Sequence, residues 1–313
     1  MIAVVAGGVG AARFLAGLLQ VVDPTEVTAI VNVGDDTVLH GLHVSPDIDT
    51  VTYTLAGEIN PETGWGLRGE SWQAMDTIRR YGGEAWFLLG DRDLGTHLHR
   101  TGRLAAGAPL SAITAEIAAA WGLGLQLVPA TDDQLRTMVT VQEADAEREV
   151  TFQEYFVQRR HDVPVTAVRF AGADTARPGP GVLDAIGNAD AIVIAPSNPL
   201  VSIGPVLAVP GVRDAIAARR GHTVAVSPIV AGAALKGPAD RMLRELGHDA
   251  SVVGVAELYA GIACALVIDE ADAALAASVE AAGVRAVVAP TIMSTPEIAA
   301  ALATTTLAAI GRS

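Results

Sequence analysis

Four carboxylates fall within fifteen residues: Asp35 and Asp36 in Asn32-Val33-Gly34-Asp35-Asp36-Thr37, and Asp47 and Asp49 in Ser45-Pro46-Asp47-Ile48-Asp49-Thr50. Oxygen donors at that density suit a hard divalent cation such as magnesium, with Asp49 and Asp35 the first candidates as ligands. The same side chains can orient a hydroxyl or act as a general base, so Asp49, Asp35 and Asp36 are the candidate catalytic residues. Each Asp also has a plain structural use, in a turn or at a helix start, and only the set as a whole argues for chemistry. A second feature is Gly7-Gly8-Val9-Gly10. Gly7, Gly8 and Gly10 let backbone amides approach an anion closely, and a helix opening there adds the positive end of its dipole. The dinucleotide fingerprint G-x-G-x-x-G fails, because counting from Gly8 puts Arg13 in the third glycine position. No Lys-Ser/Thr follows the glycines, so a Walker A loop is absent as well.

Three more stretches carry polar groups among rigid or apolar residues. In Leu89-Gly90-Asp91-Arg92-Asp93, an Arg between acids is either a salt-bridged corner or a ligand clamp, which makes Asp91 and Arg92 binding candidates. The Gly64-Trp65-Gly66 and Arg68-Gly69 stretch upstream has the make-up of a flexible flap. In Ala195 to Pro205, three prolines hold Ser197, Asn198 and Ser202 as donors and acceptors for a base or phosphate. Lys236, the one lysine of the sequence, follows Ser227-Pro228-Ile229-Val230-Ala231-Gly232 and is a plausible phosphate contact in an acidic chain. His40, His43, His97 and His99 lack the i, i+4 spacing of a helical metal pair and read as surface or packing residues.

Something must place these groups together. Ile2 to Ala6 reads as a buried strand, Val9 to Val22 as a helix and Val27 to Val33 as a second strand. Further strands are expected at Trp86–Leu89, Val165–Phe170, Ala191–Ile194, Thr223–Val226, Ala265–Ile268 and Arg285–Val288, with helices between most of them. Continuous apolar strands separated by helices predict an α/β fold, a Rossmann-like doubly wound parallel sheet covered on both faces. Such sheets bind ligands beyond the carboxyl ends of their strands, where the glycine, proline and acidic stretches fall. Residues 57–161 are richer in helix and read as a smaller, mainly helical inserted domain; residues 1–56 and 162–313 form the core.

Composition narrows the function. The 313 residues are half hydrophobic, so a large core can form. The formal net charge of −14 disfavours a general nucleic-acid binder, yet leaves room for one small anion in an amide-rich pocket. A single cysteine, Cys264, excludes an internal disulfide framework and a thiolate zinc site. No apolar run reaches the roughly 18–20 residues of a membrane span, and the expectation is a soluble cytoplasmic protein with no membrane partner.

Together the motifs AGGVGAARFL, VNVGDDTVLHGLHVSPDIDTVTYTLAG, NPETGWGLRGE, WFLLGDRDLGTH, APSNPLVSIGPVL and SPIVAGAALKGPADRM resemble the transferase family that makes the deazaflavin coenzyme F-420. These are the 2-phospho-L-lactate transferases and their bacterial phosphoenolpyruvate form, and the likeness spans essentially the whole chain. The resemblance implies a guanosine diphosphate-linked donor, transfer of its three-carbon phospho-acid to the ribityl hydroxyl of the deazaflavin Fo, release of GMP, a magnesium requirement and a homodimer. It places Asp49 and Arg92 against Fo, and the glycine loop and the Ser197–Ser202 loop toward the nucleotide; Asn32 is a further substrate-binding candidate. The alternative is a non-enzymatic nucleotide or nucleotide-sugar-binding regulator of the related gluconeogenesis-factor type. A nicotinamide dehydrogenase is weakened by Arg13. No motif distinguishes phosphoenolpyruvate from phospholactate.

Overall fold

The computed structural model describes residues 1–144 and 146–312. Seven strands, all parallel, form one central sheet: β1 (Ile2–Ala6), β2 (Val27–Val31), β3 (Gln126–Pro129), β4 (Ala191–Ile194), β5 (Thr223–Val226), β6 (Ala265–Ile268) and β7 (Arg285–Val288). Their order across the sheet is β7-β6-β5-β4-β1-β2-β3. Every residue of β1, β2, β4, β5 and β6 is buried, as expected of strands covered on both faces. The order reverses between β1 and β4, so the crevice at the carboxyl ends of those two strands is the natural ligand site.

Helix α1 (Gly8–Leu18) follows β1 and turns Ala11, Ala12, Phe14, Leu15 and Leu18 into the core. Gly17 lets it lie directly against the C-terminal helix Pro296–Ala308; a Cβ there would stand 2.4 Å from the carbonyl carbon of Ala299. Helix α2 (Pro46–Leu55) begins with Pro at its first position and has Asp47 and Asp49 in its first turn, where the helix dipole favours negative charge. Helices α3 (Gln73–Arg80) and α4 (Asp93–Ala105) follow. No single helix among the described residues is long and apolar enough to cross a membrane.

Three expectations need correction. Trp86–Leu89 forms no strand; its side chains pack instead against Val44, Met75 and the cavity wall. A four-residue apolar run cannot by itself tell a strand from a packed loop. Residues 126–129, expected within the insertion, are the edge strand β3 of the parallel sheet, in register with Thr28–Val31 of β2. Conversely, Val165–Ala171, expected in the core, joins Arg136–Glu143 and Ala146–Thr151 in a separate antiparallel sheet. The segment 57–161 therefore contributes a strand to the main sheet and a hairpin beside it as well as helices.

Candidate active site

Two loops interlock at the reversal of strand order. The glycine loop, Gly7 to Gly10, runs from the end of β1 into the first turn of α1, and the segment after β4 carries Pro196 to Ser202. A Cβ on Gly10 would stand 2.1 Å from the carbonyl oxygen of Pro196, and one on Gly7 2.8 Å from the Cβ of Ser202. Neither distance is tolerable, so both glycines are required for the loops to close. The Ser197 hydroxyl then donates to the Gly7 carbonyl at 2.6 Å. Gly8 has φ +69°, a left-handed conformation that costs other residues energy. Asn198 caps the following helical turn by accepting from the amides of Leu200 (2.9 Å) and Val201 (3.4 Å). One cavity of about 730 Å³ opens here. Gly7, Gly8, Gly10, Ser197, Asn198, Ser202 and Lys236 all line it.

The acidic wall comes from β2 and α2. Asp35, Asp47 and Asp49 line the same cavity and are more than nine-tenths buried. Asn32 does not face the cavity; its amide donates to Asp47 at 2.9 Å while its carbonyl accepts from the Gly34 amide at 2.8 Å. It therefore positions Asp47 against the glycine loop. Asp36 also lies behind the wall, accepting from the Ser45 hydroxyl at 2.8 Å. Burial, together with the neighbouring charge of Asp47, pushes Asp35 well above the usual carboxylate range. Burial likewise pushes Asp36 up to about 7 and Asp47 up to about 6. One oxygen of Asp35 is buried without a hydrogen-bond partner. The wall is thus a set of crowded carboxylates in which burial outweighs the charges of Arg100 and Arg136 near Asp36.

Asp49 is different. Arg100, almost wholly buried on α4, grips both of its oxygens, one at 3.1 Å. His97, one turn earlier, places Nδ1 3.8 Å from Asp49 and Nε2 3.2 Å from Asp93. Asp93 accepts from the Tyr53 hydroxyl at 2.6 Å. Burial and the charges of Asp49 and Asp93 push the Tyr53 phenol far up, so it stays a donor. Asp49, Asp93 and His97 offer ligand atoms within 4.8 Å of one another, a group that could hold a cation.

His97 had read as a surface or packing residue, whereas it is buried at the centre of this network. The sequence clue to it lay in α4, where Asp93, His97 and Arg100 recur at helical spacing. That helix went unrecognised because Gly95 and Gly102 interrupt its pattern.

Asp91 and Arg92 stand apart from the cavity wall. Asp91 accepts from the amides of Gln73 (3.0 Å) and Ala74 (3.1 Å) and from the Ser71 hydroxyl, so it caps α3. Arg92 turns its guanidinium to the Arg68 carbonyl and to Glu58 at 3.3 Å, bracing the 57–69 loop. That loop brings Trp65 and Gly66 to the cavity, and Trp86 and Phe87 line it too. On another side the small antiparallel sheet delivers Phe152 and Phe156, stacked 5.4 Å apart.

An amide-rich glycine loop facing a carboxylate wall, at the strand reversal of a Rossmann-like sheet, is the kind of site in which a group-transfer enzyme can hold an anionic substrate. Residues 2–291 match the family model of 2-phospho-L-lactate transferase CofD, and the chain belongs to that family, the transferases of coenzyme F-420 biosynthesis. It is 46% identical over 304 residues to the phosphoenolpyruvate transferase of Streptomyces griseus subsp. griseus, covering 96% of each chain. The phosphoenolpyruvate transferase of Streptomyces coelicolor is 47% identical over 305 residues, covering 96% of this chain and 95% of that one. The Mycolicibacterium smegmatis phosphoenolpyruvate transferase is 42% identical over 318 residues, covering 96% of each. A solved Bacillus halodurans protein, a member of the UPF0052 family, superimposes with a TM-score of 0.63 at 19% identity over 98% of both chains, a likeness of fold alone.

Proposed function

We propose that the protein moves a phosphoenolpyruvate group from a guanosine diphosphate-linked donor to the terminal ribityl hydroxyl of the deazaflavin Fo, releasing GMP. The observation that carries this reading is that the glycine loop, the carboxylate wall and the aromatic residues share one cavity. A diphosphate, a hydroxyl and a flat ring system each find matching chemistry there. Phosphoenolpyruvate is preferred to 2-phospho-L-lactate because the relatives at 42–47% identity carry that name.

In the transfer, the hydroxyl oxygen bonds to the phosphorus that bears the three-carbon acid. The bond from that phosphorus to the oxygen of GMP breaks, and the hydroxyl proton passes to a carboxylate. Displacement at phosphorus needs positioning and charge stabilisation more than covalent help. Amides of Gly8 to Gly10 hold a donor phosphate. Asp93, oriented by Tyr53 and His97, accepts the hydrogen bond of the attacking hydroxyl. Asp49, locked by Arg100, fixes that end of the wall. Trp65, Trp86 and Phe87 offer an apolar face to the ring system.

Magnesium fits the acidic wall best at Asp35 and Asp47. Both are oxygen donors, and Asp35 keeps an unpartnered buried oxygen. Asp49 already has Arg100 as its counter-charge, which moves it from the ligand role expected of it to the acceptor side. A cation there would neutralise charge on the departing phosphate. Incubation of the protein with Fo, donor and magnesium tests the whole reading by mass spectrometry. Fo gains the mass of the phospho-acid and GMP appears; unaltered Fo would refute the proposal. Exhaustive chelation should stop the reaction. The proposed setting is a cytoplasmic homodimer.

A further inference from the structure

The chain has a single lysine, Lys236, and it lies on the cavity wall. Among the described residues, Arg13 and Lys236 are the two Lys or Arg side chains lining that cavity, and neither is in an ion pair. Lys236 precedes the helix Ala239–Glu245 and reaches toward the loop on the opposite rim. Its Nζ sits so close to Gly64 that a Cβ on that glycine would be 2.9 Å away. The same point lies 3.9 Å from Cγ1 of Val9, the residue between Gly8 and Gly10. The side chain is exposed, and its ammonium lies against Gly64 of the 57–69 loop, at a rim of the cavity that Val9 also borders.

That position matches one part of the donor. In a 2-phospho acid the carboxylate hangs from the carbon that carries the ester oxygen, so it lies beside the phosphate and nowhere else. With a phosphate on the Gly8–Gly10 amides, the carboxylate needs a cation beside that loop. The side chains of the acidic wall cannot supply one, since Asp35, Asp47, Asp49 and Asp93 would repel it, and the cation proposed at Asp35 and Asp47 is assigned to the departing phosphate. Arg13, on α1, and Lys236 are both exposed, but it is the Lys236 ammonium that lies against the 57–69 loop across the cavity mouth. We infer that Lys236 binds the carboxylate of the donor's three-carbon acid, and so sets the requirement for a 2-phospho acid over a plain nucleoside diphosphate. This rests on the transferase reading above and adds the part of the donor that one residue recognises.

The chain's lysine content makes the test direct. An amine-directed acylating reagent can modify only Lys236 and the N-terminus, and peptide mass spectrometry separates the two. Saturating guanosine diphosphate-linked phosphoenolpyruvate should shield Lys236 several-fold, while saturating GDP, which lacks the carboxylate, should shield it little. Lys236→Met should raise the Kd for the donor about ten- to a hundredfold, the loss of one charge-assisted hydrogen bond. It should leave the Kd for GDP within about twofold. Equal weakening of donor and GDP would assign Lys236 to the nucleotide phosphates and overturn the inference. Unchanged donor affinity together with unshielded Lys236 would make it a solvated loop charge and overturn it as well. Wild-type protein that leaves Fo unaltered would remove the transferase reading itself, whereas wild-type turnover with normal donor KM in Lys236→Met removes only the carboxylate assignment.

Discussion

Asp35 and Asp49 look alike in the sequence, yet the structure gives them opposite energetic roles. Asp35 is buried beside Asp47 with an oxygen left unpartnered, so its ionised form opposes folding. Asp35→Asn should therefore stabilise the metal-free protein at neutral pH, by about 1–3 kcal/mol for relief of one uncompensated buried group, while lowering turnover at least a hundredfold. Denaturant melts and the mass assay check the two halves. Asp49 is the partner of buried Arg100. Asp49→Asn should abolish turnover but also cost about 3–5 kcal/mol, because Arg100 is left as an unpaired buried charge. Loss of activity in Asp49→Asn with melting unchanged would show that the Arg100 pair carries no stability. Asp93→Asn is the cleaner kinetic probe of the acceptor side.

At the scale of elements, the site depends on loops that approach more closely than side chains permit. Gly10→Ala drives a methyl into the Pro196 carbonyl, and Gly17→Ala drives one into the backbone of the C-terminal helix. Both should destabilise, by about 1–3 kcal/mol or more. Only Gly10→Ala should also weaken donor binding, since Gly17 is remote from the cavity. Calorimetric titration with GDP separates them; equal loss in both would place the glycine loop outside the ligand site.

How much of this was readable beforehand follows from period and length. Six of the seven sheet strands were legible as short apolar runs between helices, and with them the glycine and proline loops at their carboxyl ends. Gln126–Pro129 was not, because Gln126 and Pro129 break the apolar run, as an edge strand permits. The acidic wall was legible as residue types, but its division of labour was not. That division depends on Arg100, more than fifty positions from Asp36 and brought to Asp49 only by the packing of α4. Asp91 and Arg92, expected as a ligand clamp, form a helix cap and a loop brace, which use the same residue types. Lys236 stands out in the sequence, but only the packing sets its ammonium against Gly64 at the cavity.

At the scale of the molecule, a chain of net charge −14 concentrates carboxylates on the cavity proposed to bind the donor. Asp36 and Asp47 hold their protons up to about pH 7 and 6, whereas an unfolded Asp releases its own near 3.8. The folded state thus binds more protons between about pH 4 and 7, and stability of the metal-free protein falls as pH rises through that window. Thermal melts across it should show the midpoint declining. Magnesium should raise the midpoint more at pH 7.5 than at pH 5, because it competes with those protons. A melting temperature that rose steadily from pH 4 to 7 without metal would contradict the crowded acidic wall.

The central claim is that one crevice at the strand reversal gathers phosphate, cation and hydroxyl. A crystal structure with GDP, magnesium and Fo bound tests it most directly. A terminal phosphate on the Gly8–Gly10 amides, with the ribityl hydroxyl beside Asp93 in the same cavity, is the predicted result. Fo and GDP seated in separate pockets, with no path between hydroxyl and phosphate, would contradict it.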